Sequence, residues 1–317
     1  MKKILFIYVK DYLKYWNHFL HSDWIHDCSD DYIIDFWGVG WNNDLSEKGL
    51  LHRVDQFKPD YIYMTISSLY LGNYWSGTKS KCWVPNLSKI KVPKIFVECD
   101  TQDSDRNNAF YKQFDKIYCR QPWWDGYCRE YSKKIGSIDV FNGRCKNIDS
   151  WMDTPLFRWS ISEKNFKTEI DYSKKNGVYF IGHTTSPLYE RRNRMKDFFN
   201  GKISFLPSSG DHKDSLRGEN YWNALGNSSA LVCPAESNYG GLVPAKIFEY
   251  SVSGSAILTN CDLVRFGMSD LDKVVIKYKD WDDLMDKLNM DFSKYYGKAR
   301  DVIKKHTHKI RYRELFL

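Results

Sequence analysis

No run of apolar residues in this chain approaches the length of about 18 that a membrane-crossing helix needs. No two cysteines form a C-x-x-C pair. There is no repeat with a period of 20–50 residues and no low-complexity tract. These absences argue against a membrane-spanning protein, a zinc knuckle and a solenoid. The eight cysteines (Cys28, Cys82, Cys99, Cys119, Cys128, Cys145, Cys233 and Cys261) are scattered, so a disulfide framework is not indicated and buried thiols are expected. The first apolar run, residues 4–9, is too short and too polar afterwards for a secretory segment. A soluble, cytoplasmic protein is expected.

Charge of one sign is present only in modest excess. The net charge of +7 over 317 residues is not clustered, which argues against a nucleic-acid binder. It suits smaller anionic partners, a nucleotide diphosphate or the surface of an anionic membrane among them. Hydrophobic residues make up 42% and aromatics 16%, which excludes disorder and supplies flat rings on which sugars stack. The length is about twice that of a usual domain, so two domains are expected.

Short apolar runs separated by helix-sized polar stretches occupy residues 4–9, 32–37, 61–66, 94–98 and 116–119, with a weaker run at 137–141. That alternation predicts a parallel sheet flanked by helices. Residues 149–159 carry a proline, two tryptophans and no period, and read as a connection. The pattern then restarts at 177–181, 203–206, 230–233, 255–259 and 273–276, predicting a second Rossmann-like domain. From about residue 280 the chain reads as helical. Ligands of open parallel sheets lie beyond the carboxyl ends of the strands, so the chemistry is expected in the loops that follow these runs and in the cleft between two such domains.

The most informative stretch is Gly240-Gly241-Leu242-Val243-Pro244-Ala245-Lys246-Ile247-Phe248-Glu249-Tyr250, continuing through Gly254 to Ala256-Ile257-Leu258. Two glycines permit a tight turn and a close backbone approach. Pro244 suits the first turn of a helix, whose N–H groups would face an anion. Glu249 lies roughly 7–8 Å further along the axis, about the reach from a diphosphate to the ribose of one nucleotide. A turn followed by a solvated glutamate is the plainer reading. Lys246 gains nothing from the dipole at a helix N-terminus and makes better sense if an anion shares that end.

This run resembles the nucleotide-sugar signature of group 1, family 4-like glycosyltransferases of the GT-B fold, which carry a similar Pro-x-Lys-x-Phe-Glu-Tyr segment followed by a small residue, a glycine and a strand. The resemblance implies an α/β protein with two Rossmann-like domains whose parallel sheets face each other across a cleft. It places an acceptor domain at 1–155, a nucleotide-sugar domain at 156–290, and at 291–317 a helix crossing back to the first domain. The implied activity is transfer of a sugar from a UDP- or GDP-linked donor to an acceptor hydroxyl of a glycan, lipid-linked or protein-linked molecule, with no metal or other cofactor. A nucleotide-sugar epimerase, a DNA-modifying glycosyltransferase and a catalytically degenerate surface-structure protein share the fold and stay open as alternatives.

Further candidates flank this signature. After residues 177–181 comes Gly182-His183, then a helix in which Leu188, Arg192, Met195 and Phe199 share one face by their 3/4 spacing. Arg192 interrupts an apolar stripe, where an unpaired guanidinium would be costly, so an anionic partner is expected: a diphosphate or a structural carboxylate. His183 is a candidate phosphate donor. A similar Phe-Ile-Gly loop occurs in the spore-maturation subgroup of these transferases. Glu236 and Tyr239 precede the glycines and are assigned with Gly240, Gly241 and Leu242 to the donor. Glu236 stands thirteen positions before Glu249 where the family has eight, and the position at eight is Gly241. In the first domain Asp100 follows residues 94–98 and is the candidate acceptor base. The acidic stretch 100–105 has two readings, acceptor activation or cation binding, and the N-terminal cap of a helix over 107–114.

Overall fold

The computed structural model describes residues 1–10, 22–65, 85–98, 106–120, 154–158, 160–166, 169–182, 190–207, 216, 218–235, 245–264 and 266–317. The chain divides into two compact units, Met1–Arg158 with His308–Leu317, and Trp159–Thr307. The tail expected to begin at residue 291 is itself divided. Residues 291–307 stay with the second unit, and only the last ten join the first.

The first unit is built on β1 (Lys2–Ile7), α1 (Ser22–Asp27), β2 (Tyr32–Trp37), α2 (Glu47–Phe57), β3 (Tyr61–Thr65), β4 (Lys94–Glu98) and β5 (Lys116–Cys119). All its strand pairs are parallel, in the order β2-β1-β3-β4-β5. Residues 4–7 and 95–97 are buried on both strand faces, as unbroken apolar runs require in a sheet covered on each side. Ser46 caps α2 by accepting from the Gly49 amide at 3.1 Å. The C-terminal helix, His308–Leu315, belongs to this core because Tyr312 stacks on Trp24, ring centroids 4.2 Å apart. The Tyr312 hydroxyl accepts from Arg120 Nη2 at 2.9 Å, which satisfies part of a guanidinium that is almost wholly buried.

Two expectations fare differently in this unit. The five strands stand where the apolar runs place them, whereas the strand at 137–141 lies outside the described residues. The helix expected over 107–114 is replaced by a single 3₁₀ turn, Tyr111–Gln113. Phe110, Tyr111 and Phe114 all turn inward onto Phe96, with centroids 5.0–5.5 Å away. These three rings anchor the turn to the sheet.

The second unit repeats the plan with β6 (Asn176–Ile181), α3 (Glu190–Phe198), β7 (Ser204–Leu206), α4 (Gly218–Asn227), β8 (Ser228–Cys233), α5 (Lys246–Val252), β9 (Ala256–Thr259), α6 (Ser269–Asp272), β10 (Ile276–Lys277), α7 (Trp281–Lys287) and α8 (Lys298–Ile303). Its parallel order is β10-β9-β8-β6-β7. Tyr179, Leu231 and Ile257 stand side by side across three strands. Ala230, Val232, Ala256 and Leu258 pack with Met195 and Phe199 of the α3 segment and Leu284 of α7. No described helix is long and apolar enough to cross a membrane.

Renumbered from its first strand, each sheet has the order 2-1-3-4-5. Growth reverses between the first and third strands, leaving a crevice beyond their carboxyl ends. In the second unit that point falls between β6 and β8, whose carboxyl ends are Ile181 and Cys233.

Candidate functional site

The mouth of β6 is fixed by Tyr250 of α5. Its hydroxyl donates to the Ile181 carbonyl at 2.9 Å and accepts from the Ile181 amide at 3.1 Å. The next residue is Gly182, whose amide donates to the Leu206 carbonyl at 2.9 Å. A Cβ at Gly182 would lie 2.9 Å from Phe180 Cζ and 3.8 Å from Lys246 Cε. A side chain here would press on the Phe180 ring, and the Lys246 stem lies alongside.

Arg192 projects from α3 with its guanidinium carbon 5.6 Å from the centre of the Phe180 ring. Met195 and Phe199 are buried, in keeping with the expected apolar face, while Leu188 lies outside the described residues. Burial pushes the Cys233 thiol well above its ordinary pKa, with a side-chain hydrogen bond to Cys261 adding to the effect, and the charges of Arg192 and Lys246 pull the other way. Both cations are thus felt at the carboxyl end of β8. Burial also raises the Tyr250 phenol, again opposed in part by Arg192.

Lys246 and Glu249 face Tyr221 of α4. Lys246 Nζ donates to the Tyr221 hydroxyl at 3.2 Å and lies 3.3 Å from Glu249 Oε2. Tyr221 donates a short hydrogen bond to the same Oε2. Burial, and then the Glu249 charge, hold the Tyr221 phenol well above its ordinary pKa, so it remains a donor throughout the physiological range. The sequence carries no motif that announces Tyr221. Its only signal is its place on a helix leading into β8, four residues before the buried Leu225.

Three expectations need adjustment. Helix α5 runs for seven residues from Lys246, with Ala245 at its cap, so Glu249 stands on its first turn rather than deeper. A helix so short has a weak dipole, and charge at this end rests more on Lys246 and Arg192 than on amides. The anion beside Lys246 is Glu249 itself. That carboxylate is only 5% exposed, so it is not the solvated glutamate of the plainer reading. An ionised carboxylate this deep needs donors, and Tyr221 and Lys246 supply them.

The carboxyl edge is tied further along. Thr259 Oγ1 donates to the Cys233 carbonyl at 2.6 Å, and Asn260 Oδ1 accepts from the Ala235 amide at 2.7 Å. These bonds fix where the loop after β8 leaves the sheet. His183, Glu236, Tyr239, Gly240, Gly241 and Leu242, with Pro244, lie outside the described residues. So does Asp100. In the first unit the described carboxylate nearest it in sequence is Glu98, wholly buried at the end of β4 and accepting from the Tyr111 hydroxyl at 2.7 Å. Among the expected site residues, the second unit therefore gathers Gly182, Arg192, Lys246 and Glu249 around the β6–β8 point.

No protein-family model matches this sequence, and no curated protein sequence does. Solved structures do match. Sucrose-phosphate synthase (tll1590) from Thermosynechococcus elongatus aligns at a TM-score of 0.53 and 9% identity, covering 100% of this chain and 99% of that one. AviGT4, a glycosyltransferase involved in Avilamycin A biosynthesis, aligns at 0.51 and 10% identity, covering 99% and 96%. The fold is one that glycosyltransferases use. The α/β class expected from the sequence, with two parallel five-stranded sheets of the GT-B kind, is the class found. At such identities the likeness concerns the fold alone.

Proposed function

We propose that the protein is a glycosyltransferase whose second unit binds a nucleotide-diphosphate sugar. The observation that carries this reading is the gathering of Gly182, Arg192, Lys246 and Glu249 at the β6–β8 reversal, where folds of this order hold nucleotides. The shared fold with a glycosyltransferase supports the class.

In this reading Arg192 and Lys246 bind the diphosphate and offset the negative charge that builds as the glycosidic bond breaks. An ammonium has three N–H donors. Two of those on Lys246 have the acceptors Tyr221 and Glu249, and the third serves a phosphate oxygen. The cation can hold its carboxylate and a ligand together. Gly182 lets the backbone approach, and Glu249 accepts from the ribose. His183, Glu236, Tyr239, Gly240, Gly241 and Leu242 complete the donor loops. The first unit is assigned the acceptor, with Asp100 as its contact or base. No metal is required, since the cations provide the leaving-group charge.

A panel of UDP- and GDP-linked sugars tests the proposal. The expected result is stabilisation by one nucleotide class, with release of the nucleoside diphosphate when a suitable glycan or glycolipid acceptor is added. Binding followed only by an epimerised donor sugar would replace transfer with epimerisation. Absence of any binding would overturn the reading altogether.

A further inference from the structure

Tyr221 has no part in the sequence signature, yet it holds the central carboxylate. Both contacts to Glu249 among the described residues, from the Tyr221 hydroxyl and from Lys246, fall on Oε2. A carboxylate offers about four lone-pair sites over two oxygens. Glu249 also has three rotatable side-chain bonds, and on the first turn of a two-turn helix little backbone geometry restrains its tip. Tyr221 supplies that restraint. It arrives from a different helix, and it is buried beside the sheet edge.

We propose that Tyr221 is a positioning residue for ribose recognition: by occupying Oε2 of Glu249 it turns Oε1 toward the ribose diol of the bound nucleotide. This rests on the donor-binding role of Glu249 proposed above. Tyr221 itself touches no ligand in this scheme. Its effect is to fix the carboxylate plane before the nucleotide arrives, so that less side-chain freedom is lost on binding. Lys246 bonds to the same oxygen but is also drawn toward phosphate, which leaves the phenol as the restraint that does not change on binding.

The experiment compares UDP, GDP and their 2′-deoxy forms by calorimetry on the wild-type protein and on Tyr221→Phe. The wild type is expected to bind one ribonucleotide about tenfold more tightly than its deoxy form, the size of one hydrogen bond to a charged group. Tyr221→Phe is expected to bring that ratio to about twofold or less, while deoxy binding stays within about twofold of wild type. If the phenylalanine protein does not fold, Tyr221→Met keeps the apolar volume, also lacks the hydroxyl, and carries the same expectation. A folded variant that keeps the full ribose preference overturns the positioning role, as does one that weakens both forms equally, which is the mark of a merely structural residue. A wild-type ratio near one removes the ribose role of Glu249 and this inference with it. A wild type that binds neither nucleotide overturns the donor-binding reading itself.

Discussion

Arg192 and Lys246 reach the same edge of the sheet from different helices, and their partners separate their tasks. Arg192 lies against an aromatic ring, whereas Lys246 is tied to Tyr221 and Glu249. Arg192 can therefore be altered without disturbing the carboxylate. Arg192→Met is expected to weaken binding of the nucleoside diphosphate about tenfold, the scale of a charge-assisted hydrogen bond, and to leave the free nucleoside unaffected. Calorimetry with both ligands checks this; equal weakening of the two would remove Arg192 from the phosphate. At this scale the sequence was partly legible. The stripe of Arg192 with Met195 and Phe199 could be read because helical spacing repeats locally. The burial of Glu249 and its bond to Tyr221 could not, because a contact between residues 28 positions apart leaves no local signal.

Helix α5 carries the site at one end and is anchored at the other by two cations. Arg300 Nη1 donates to the Val252 carbonyl at 2.6 Å, and Lys175 Nζ to the Ser253 carbonyl at 3.2 Å, where cations favour the helix dipole. The chain then turns at Gly254, with φ +70°, and a Cβ there would lie 2.7 Å from Ile170 Cδ1. Gly254→Ala is expected to cost about 1–3 kcal/mol from the left-handed backbone alone, measured by urea unfolding. Acceptors on Gly226, Ser228 and Ser255 also lie within 2.8–3.2 Å of Lys175 Nζ, and burial, helped by the charge of Arg300, depresses its pKa from 10.5 to about 8. Below about pH 8 both folded and unfolded states hold the proton and the folded state bears the full penalty. Between about 8 and 10.5 the unfolded chain binds more protons, so this group's contribution to stability rises with pH. The wild type should thus gain stability relative to Lys175→Met across that window, and a flat difference would contradict it. Strands β1, β3, β4, β8 and β9 were legible as apolar runs because burial on both faces leaves an unbroken pattern. The turn at 111–113 was not, since an aromatic cluster fits a helix or a tight turn equally well in sequence.

At the scale of the whole chain, each unit has its own sheet of the same order, and the first recruits the last ten residues of the chain. Tyr312 is wholly buried within that first unit, and its hydroxyl accepts from Arg120. Tyr312→Phe should therefore destabilise the first unit by about 1–3 kcal/mol through a lost hydrogen bond to a buried charge. Hydrogen exchange resolved by segment should show faster opening in β3, β5 and the C-terminal helix, with the second unit unaffected. The central claim concerns that second unit and its grip on a nucleotide. Its most direct test is a calorimetric titration of UDP and of GDP into the wild type and into Glu249→Ala. The expected result is saturable binding of one of the two by the wild type, weakened about tenfold or more in a variant that still folds. Binding of neither, or equal binding by the variant, would contradict it.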